Sequence, residues 1–111
     1  LERPGNVAID PTDAATTGPE ARAQLAAWAR AGTEAGNHLW MQISHAGRQS
    51  PRYVTGRPLA PSAVQLELLG HYGPPRAVTV AEIHDFIGRF ATAARIARET
   101  GFTGVQAHGA H

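Results

Sequence analysis

The sequence contains no cysteine and no lysine, and it has neither a run of like charges nor a long apolar run. Without cysteine the chain forms no disulfide and offers no thiolate to a metal, although this leaves the cellular compartment open. All basic residues are arginine, a bias that we attribute to genome composition. The net charge of only +1 argues against nucleic acid or a membrane surface as a partner.

No stretch approaches the roughly 20 apolar residues that cross a bilayer, and no secretory signal pattern opens the chain. We therefore expect a soluble, cytoplasmic protein. Its 111 residues suffice for one small domain or for part of a larger one. Because the chain starts at Leu1 and stops directly after a predicted strand, we expect residues 1–111 to be a piece of one domain, truncated at both ends.

The first half of the chain is predicted to contain a helix followed by a strand. The segment Thr17-Gly-Pro-Glu20 resembles a capping box, which predicts a helix from Pro19 to about Ala35. Gly36 is placed to cap the end of that helix. The apolar run within residues 37–44 then predicts a strand that is covered on both faces.

The second half repeats this order after a long loop. Residues 45–78 lack a sustained period, and a loop of that length is usually functional. Thr79-Val-Ala-Glu82 forms a second capping box, which predicts a helix that ends before Gly101 and a strand over residues 103–108. The apolar face of this helix is predicted from its spacing to comprise Ile83, Phe86, Ile87, Phe90, Ala94 and Ala97.

The alternation of helix and strand predicts the α/β class with a parallel sheet. Two architectures fit this order, an open doubly wound sheet and a closed (β/α)8 barrel. No Gly-x-Gly-x-x-Gly follows either strand, so the barrel is preferred. A complete barrel takes about 250 residues. We therefore expect a partial (β/α)8 TIM barrel of about two strand-helix units with flanking loops.

Polar side chains cluster where each predicted strand ends, and the ends of parallel strands converge in a barrel. An amide such as that of Gln42 offers a donor and an acceptor side by side, which matches a pyrimidine-like ring edge. Two histidines three residues apart, His108 and His111, could both aim an N–H at one carbonyl oxygen. The polar residues at the strand ends are Gln42, Ser44, His45, Arg48, Gln106, His108 and His111.

Several motifs resemble, in order and spacing, the Old Yellow Enzyme family of flavin oxidoreductases. The two most specific are Gln42-Ile-Ser-His-Ala-Gly-Arg48 and Gly101-Phe-Thr-Gly-Val-Gln-Ala-His-Gly-Ala-His111. Shorter matches are the opening Arg3-Pro-Gly-Asn-Val-Ala-Ile-Asp10, Ala60-Pro-Ser62 and Ala93-Ala-Arg95. The resemblance covers essentially the whole chain.

The resemblance implies a barrel that holds FMN, an ene-reductase that uses NADH or NADPH, and a substrate that is an α,β-unsaturated carbonyl compound. It places Gln42 on the pyrimidine edge of the flavin and His108 and His111 on the substrate carbonyl oxygen. The proton-donating tyrosine of the family falls beyond His111, so we expect these 111 residues alone to be inactive. The resemblance also allows a homo-oligomer of the full-length protein.

Two other readings of the residues stay open. His108 and His111 could ligate zinc in a metal-dependent TIM-barrel hydrolase, although no carboxylate accompanies them in the motif. The chain could also be a non-catalytic remnant. His45 and Arg48 are expected to make structural hydrogen bonds rather than to act in catalysis. The aromatic side chains of Trp28, Phe86 and Phe90 are expected in the core.

Overall fold

A computed structural model of the chain describes residues 13–109, which form two compact units. The first unit contains the described residues up to Ile43 together with Ile87–Gln106, and the second contains Ser44–Phe86 together with those from Ala107 onward. The match to the family at Arg3–Asp10 lies outside the described residues. Within residues 13–109, no helix is long and apolar enough to cross a membrane.

The elements alternate as the sequence predicts, with additional short pieces. In chain order they are α1 (Ala14–Thr17), α2 (Pro19–Thr33), β1 (Trp40–Ile43), a 3₁₀ turn (Gly47–Gln49), β2 (Leu59–Ala60), β3 (Arg76–Ala77), α3 (Val80–Glu99) and β4 (Gly104–Ala107).

The helix α2 begins at Pro19, as predicted, but its N-terminal cap differs from the prediction. Thr17 does not cap this helix, because it is the last residue of α1 and its hydroxyl donates to the carbonyl oxygen of Asp13, at 2.9 Å. The N-cap of α2 is Gly18, which offers no side chain, and Pro19 occupies the first turn. The capping-box prediction at this helix was therefore wrong, because Thr17 belongs to the preceding helical turn α1 and its hydroxyl is bonded there.

The core of the first unit lies between α2, α3 and the segment before β4. Its members are Leu25, Ala29, Ile96, Ala97 and Phe102, with Leu39 and Met41 packed against them. Trp28, predicted in the core, is 39% exposed and meets Phe102 edge to face at a centroid distance of 5.6 Å. Trp28 therefore lies at the edge of the core, with its ring against the buried Phe102.

The apolar face of α3 is shifted from the predicted one. Ile83 and Ile87 are exposed, at 44% and 60%, although the spacing predicts them on the buried face. The buried residues of this helix are Ala93, Ile96 and Ala97. The core of the first unit is built on the C-terminal half of α3, where alanines allow close packing.

Strands β1 and β4 are hydrogen-bonded neighbours, and their contacts establish that they run parallel. The backbone N–H of Leu39 donates to the Thr103 hydroxyl, and the Thr103 N–H donates to the Leu39 carbonyl. Three residues further along both strands, the side chains of Gln42 and Gln106 are hydrogen-bonded to each other. Both pairs are separated by 64 residues in sequence, whereas the separation would change along an antiparallel pair.

The prediction that β1 is covered on both faces was wrong. Leu39 and Met41 pack against the core, but Trp40 is 63% exposed and Gln42 is exposed as well. Successive side chains of a strand point to opposite faces, so one face of β1 packs on the helices and the other does not.

The second unit contains the long segment between β1 and α3. Instead of loop throughout, it holds a short parallel pair, in which Leu59 faces Arg76 and Ala60 faces Ala77. An isolated antiparallel bridge joins Pro51 to Tyr72. These pairings fold the proline-rich segment back on itself between the 3₁₀ turn and α3.

The capping box at the start of α3 is confirmed. The Thr79 N–H donates to the Glu82 carboxylate at 2.8 Å, and the Glu82 N–H donates to the Thr79 hydroxyl at 3.2 Å. Arg76 adds two bonds from its guanidinium to the same carboxylate. The bond from Arg76, followed by those from Thr79, lowers the pKa of Glu82 from 4.5 to about 2.

We expect Glu82→Gln to reduce stability above pH 4.5 and to have less effect near pH 2. A carboxyl with a lowered pKa in the folded state contributes stability above its unfolded pKa and loses it as pH falls through the folded value. The difference in the free energy of unfolding between wild type and E82Q, measured by denaturation at several pH values, should therefore shrink from pH 4.5 to 2. The exposed Glu67→Gln is the matched control, and an E82Q difference that does not change with pH would contradict the assignment.

Candidate functional site

The ends of β1 and β4 bring two glutamine side chains together. The Gln42 Nε2 donates to the Gln106 Oε1 at 2.8 Å, and both side chains are exposed. Since the strands run parallel, this pair lies toward the carboxyl edge of the strand pair, where α/β folds place their ligands. The Gln42 amide keeps its oxygen and a second N–H for another partner.

The same face of the strand pair carries an aromatic ring beside a glycine. Trp40 and Gln42 are two residues apart on β1, as Gly104 and Gln106 are on β4, so all four lie on one face. A Cβ at position 104 would stand 2.8 Å from the Trp40 Nε1. Glycine at this position therefore allows the indole to lie across β4, next to the glutamine pair.

His45 makes two local contacts in the second unit. Its Nδ1 accepts a hydrogen bond from the Gly47 N–H at 3.0 Å, which closes the turn after β1. The His45 ring also packs on Phe86, with centroids 4.8 Å apart and planes tilted by 40°. Because Nδ1 is an acceptor here, the neutral ring carries its proton on Nε2. Arg48 lies exposed in the 3₁₀ turn.

The two predicted substrate-binding histidines are placed unequally. His108 follows β4 directly and is half-buried, whereas His111 lies outside the described residues. Within residues 13–109, no three His, Asp or Glu side chains are grouped to hold a metal ion. The described part of the chain therefore offers no metal cluster to which His108 could belong.

A pocket of about 190 Å³ lies in the second unit, at the turn after β1. Its lining includes His45, Gly47, Ser50, Thr55 and Arg57. Ligand pockets commonly measure roughly 300–1,000 Å³, so this pocket by itself is too small for a cofactor such as a flavin nucleotide. No sequence motif predicts this pocket, because its lining residues come from two stretches, 45–50 and 55–59, that meet only in the folded chain.

The bond between Gln106 and Gln42 is the feature of the site that the sequence pattern does not predict. The pattern indicates Gln106 only as a polar residue at a strand end. The equal spacing of the two motifs is consistent with this bond, since Gln42 and Gln106 each stand third in their strands. In a parallel pair that equal offset places the two glutamines side by side.

Comparisons with known proteins identify the family of the chain. The sequence profile of the NADH:flavin oxidoreductase / NADH oxidase family matches residues 11–111. The NADH-dependent flavin oxidoreductase nadA of Aspergillus parasiticus is 39% identical over 124 residues, covering 96% of this chain and 27% of that protein. The 12-oxophytodienoate reductase 2 of Arabidopsis thaliana is 37% identical over 90 residues, covering 68% of this chain and 23% of that protein.

The fold has a counterpart among solved structures. The old yellow enzyme homologue from Zymomonas mobilis superposes with a TM-score of 0.68 at 39% identity, covering 78% of this chain and 27% of that one. This match confirms the α/β class and the predicted partial TIM barrel. The chain spans about a quarter of the length of these three proteins. From its profile match, its relatives and its fold, the chain belongs to the NADH:flavin oxidoreductase / NADH oxidase family, the family of old yellow enzyme.

Proposed function

We propose that residues 1–111 contribute to an FMN-dependent ene-reductase that uses NADH or NADPH to reduce the C=C bond of α,β-unsaturated carbonyl compounds. The observation that carries this proposal is the amide pair of Gln42 and Gln106 at the carboxyl edge of two parallel strands. The likeness to 12-oxophytodienoate reductase 2 supports the substrate class, since that name specifies an oxo group and double bonds.

The residues at the strand ends fit the chemistry of FMN. The exposed Gln42 amide has an oxygen acceptor and an N–H donor left after its bond to Gln106. The pyrimidine edge of a flavin carries an N–H between two carbonyl groups, which complements such an amide. When bound, FMN supplies the hydride that it receives from NADH or NADPH.

His108 and His111 are proposed to bind the substrate rather than the cofactor. Each imidazole can donate an N–H to the carbonyl oxygen of an enone. Negative charge grows on that oxygen as the β-carbon is reduced, and donors already aimed at it stabilise the charge without rearrangement. The proton that completes the reduction is expected to come from a residue outside residues 1–111, as the resemblance implies.

The proposal is tested with protein made from the longest natural reading frame that contains residues 1–111, here called the enclosing reading frame. Under anaerobic conditions, with 2-cyclohexenone as a probe, we expect consumption of NADH or NADPH to match the formation of cyclohexanone. Consumption of NADH only when oxygen is admitted, without cyclohexanone, would favour an oxidase. Stoichiometric zinc without flavin would instead support the hydrolase alternative built on His108 and His111.

The assignment of residues 1–111 to a single FMN-binding barrel domain belongs to the same proposal. A cytoplasmic location, a small-molecule enone substrate and a homo-oligomeric full-length protein also stay predictions. Size-exclusion chromatography with light scattering, on the protein that the enclosing reading frame encodes, checks the oligomeric state.

A further inference from the structure

We propose that Gln106 is a positioning residue that fixes the orientation of the Gln42 amide, and so decides whether its oxygen or its nitrogen faces the ligand. This inference rests on the proposed function, because it concerns how the FMN-binding residue is oriented. It goes further by assigning a role to a side chain that contacts no cofactor in the proposal above.

A glutamine amide has two orientations that differ by a half-turn about its last torsion, which exchanges oxygen and nitrogen. The Gln42 amide is held in one of them, because its Nε2 donates to the Gln106 Oε1 at 2.8 Å. This bond uses one N–H and turns the Gln42 Oε1 away from Gln106. The amide is thus prepared to accept a hydrogen bond at Oε1 from a ligand that has a donor there.

The position of Gln106 is determined by the strand pair that carries it. Three residues before the glutamines, the hydrogen bonds between Leu39 and Thr103 fix the register of β1 and β4. Gly104 lets the Trp40 indole lie against β4 on the same face. The glutamines therefore meet at a fixed offset, and a slip of one residue would turn Gln106 to the other face.

The exposure of both amides indicates an orienting role rather than a stabilising one. Water can replace the bond between two exposed amides, so the pair adds little to folding. A substitution at position 106 should consequently leave the fold intact while it frees the Gln42 amide to turn over. The bound ring edge would then face the Gln42 oxygen in some molecules and the Gln42 nitrogen in others.

This orientation makes a specific prediction for the flavin N3–H. If the Gln42 Oε1 accepts from N3–H, methylation at N3 removes the donor and weakens binding. The ratio of the Kd of 3-methyl-FMN to that of FMN therefore reports the orientation of Gln42. Because both ligands bind the same variant, general changes in charge or stability largely cancel in the ratio.

The experiment measures this ratio by fluorescence titration of apoprotein from the enclosing reading frame. The variants are Gln106→Glu, which retains an acceptor oxygen, Gln106→Met, which retains length without one, and Gln42→Met, which sets the steric baseline. We expect a ratio at least about tenfold above that baseline in wild type and in Q106E, and within about threefold of it in Q106M. The unfolding midpoint of each variant is measured in parallel.

Three results would overturn the inference. A wild-type ratio retained by Q106M would mean that Gln106 does not orient Gln42, and a Q106E ratio as low as the baseline would mean that Gln106 does not act as an acceptor. In both cases wild type still binds FMN, so the proposed function survives. Absence of FMN binding by wild type would overturn the proposed function and this inference together. If Q106M does not fold, Q106E alone still decides whether an acceptor at 106 is sufficient.

Discussion

His108→Ala in the enclosing reading frame is expected to lower kcat for enone reduction by about 100-fold, in line with the loss of one oriented donor at an oxyanion. The half-buried His108 follows β4 directly, two residues after Gln106. Its proposed contact is with the substrate oxygen, so oxidation of NADH or NADPH in the absence of enone should change little. Stopped-flow measurement of the two half-reactions separates these effects.

The matched control for this prediction is His84→Ala, because His84 lies exposed on α3. His108→Asn retains an N–H donor and should recover part of the lost rate. Equal loss of both half-reactions in H108A would indicate a role in cofactor binding or folding. An H108A rate equal to that of wild type would remove His108 from the proposed site.

Leu25→Ala is expected to lower the free energy of unfolding by about 2–5 kcal/mol, the range for truncating a buried leucine. Leu25 is only 4% exposed and belongs to the core cluster with Ile96 and Phe102. The truncation leaves a cavity between α2 and its neighbours, and dense packing there limits its collapse. Equilibrium denaturation with urea measures the change.

Leu69→Ala is the control for the core prediction, because it makes the same chemical change at an exposed site. Leu69 is 87% exposed in the long segment of the second unit. A surface substitution of this kind usually changes stability by no more than about 0.5 kcal/mol. Equal losses in L25A and L69A would show that the core is not built around Leu25.

The features predicted well from the sequence depend on local contacts. Thr79 and Glu82 cap α3 as predicted, because both partners of a capping box lie within four residues and need no tertiary context. Gly36 and Gly101, both with positive φ, follow the two long helices, although the C-cap of α2 is Glu34 rather than the predicted Gly36. The same reasoning failed at Thr17, where another local partner, Asp13, takes the hydroxyl.

The features predicted poorly depend on what packs against an element. Helical spacing predicts an apolar stripe on α3. It does not predict that only the C-terminal half of the helix forms the core while Ile83 and Ile87 stay exposed. Likewise the apolar run in β1 does not reveal that only one face is packed. The residue Gln42 was predicted from its type and place, whereas its bond to Gln106 required the register of two strands far apart in sequence.

The most direct test of the central claim is a titration with FMN of the protein that the enclosing reading frame encodes. Binding is followed by absorbance and fluorescence. We predict binding of one FMN per barrel, weakened about tenfold or more by Gln42→Ala, because the amide makes up to two hydrogen bonds to the ring. Gln24→Ala, an exposed glutamine on α2, should bind like wild type. Protein that binds no flavin, or in which Q42A and Q24A bind FMN as tightly as wild type, would contradict the assignment of Gln42 to the flavin.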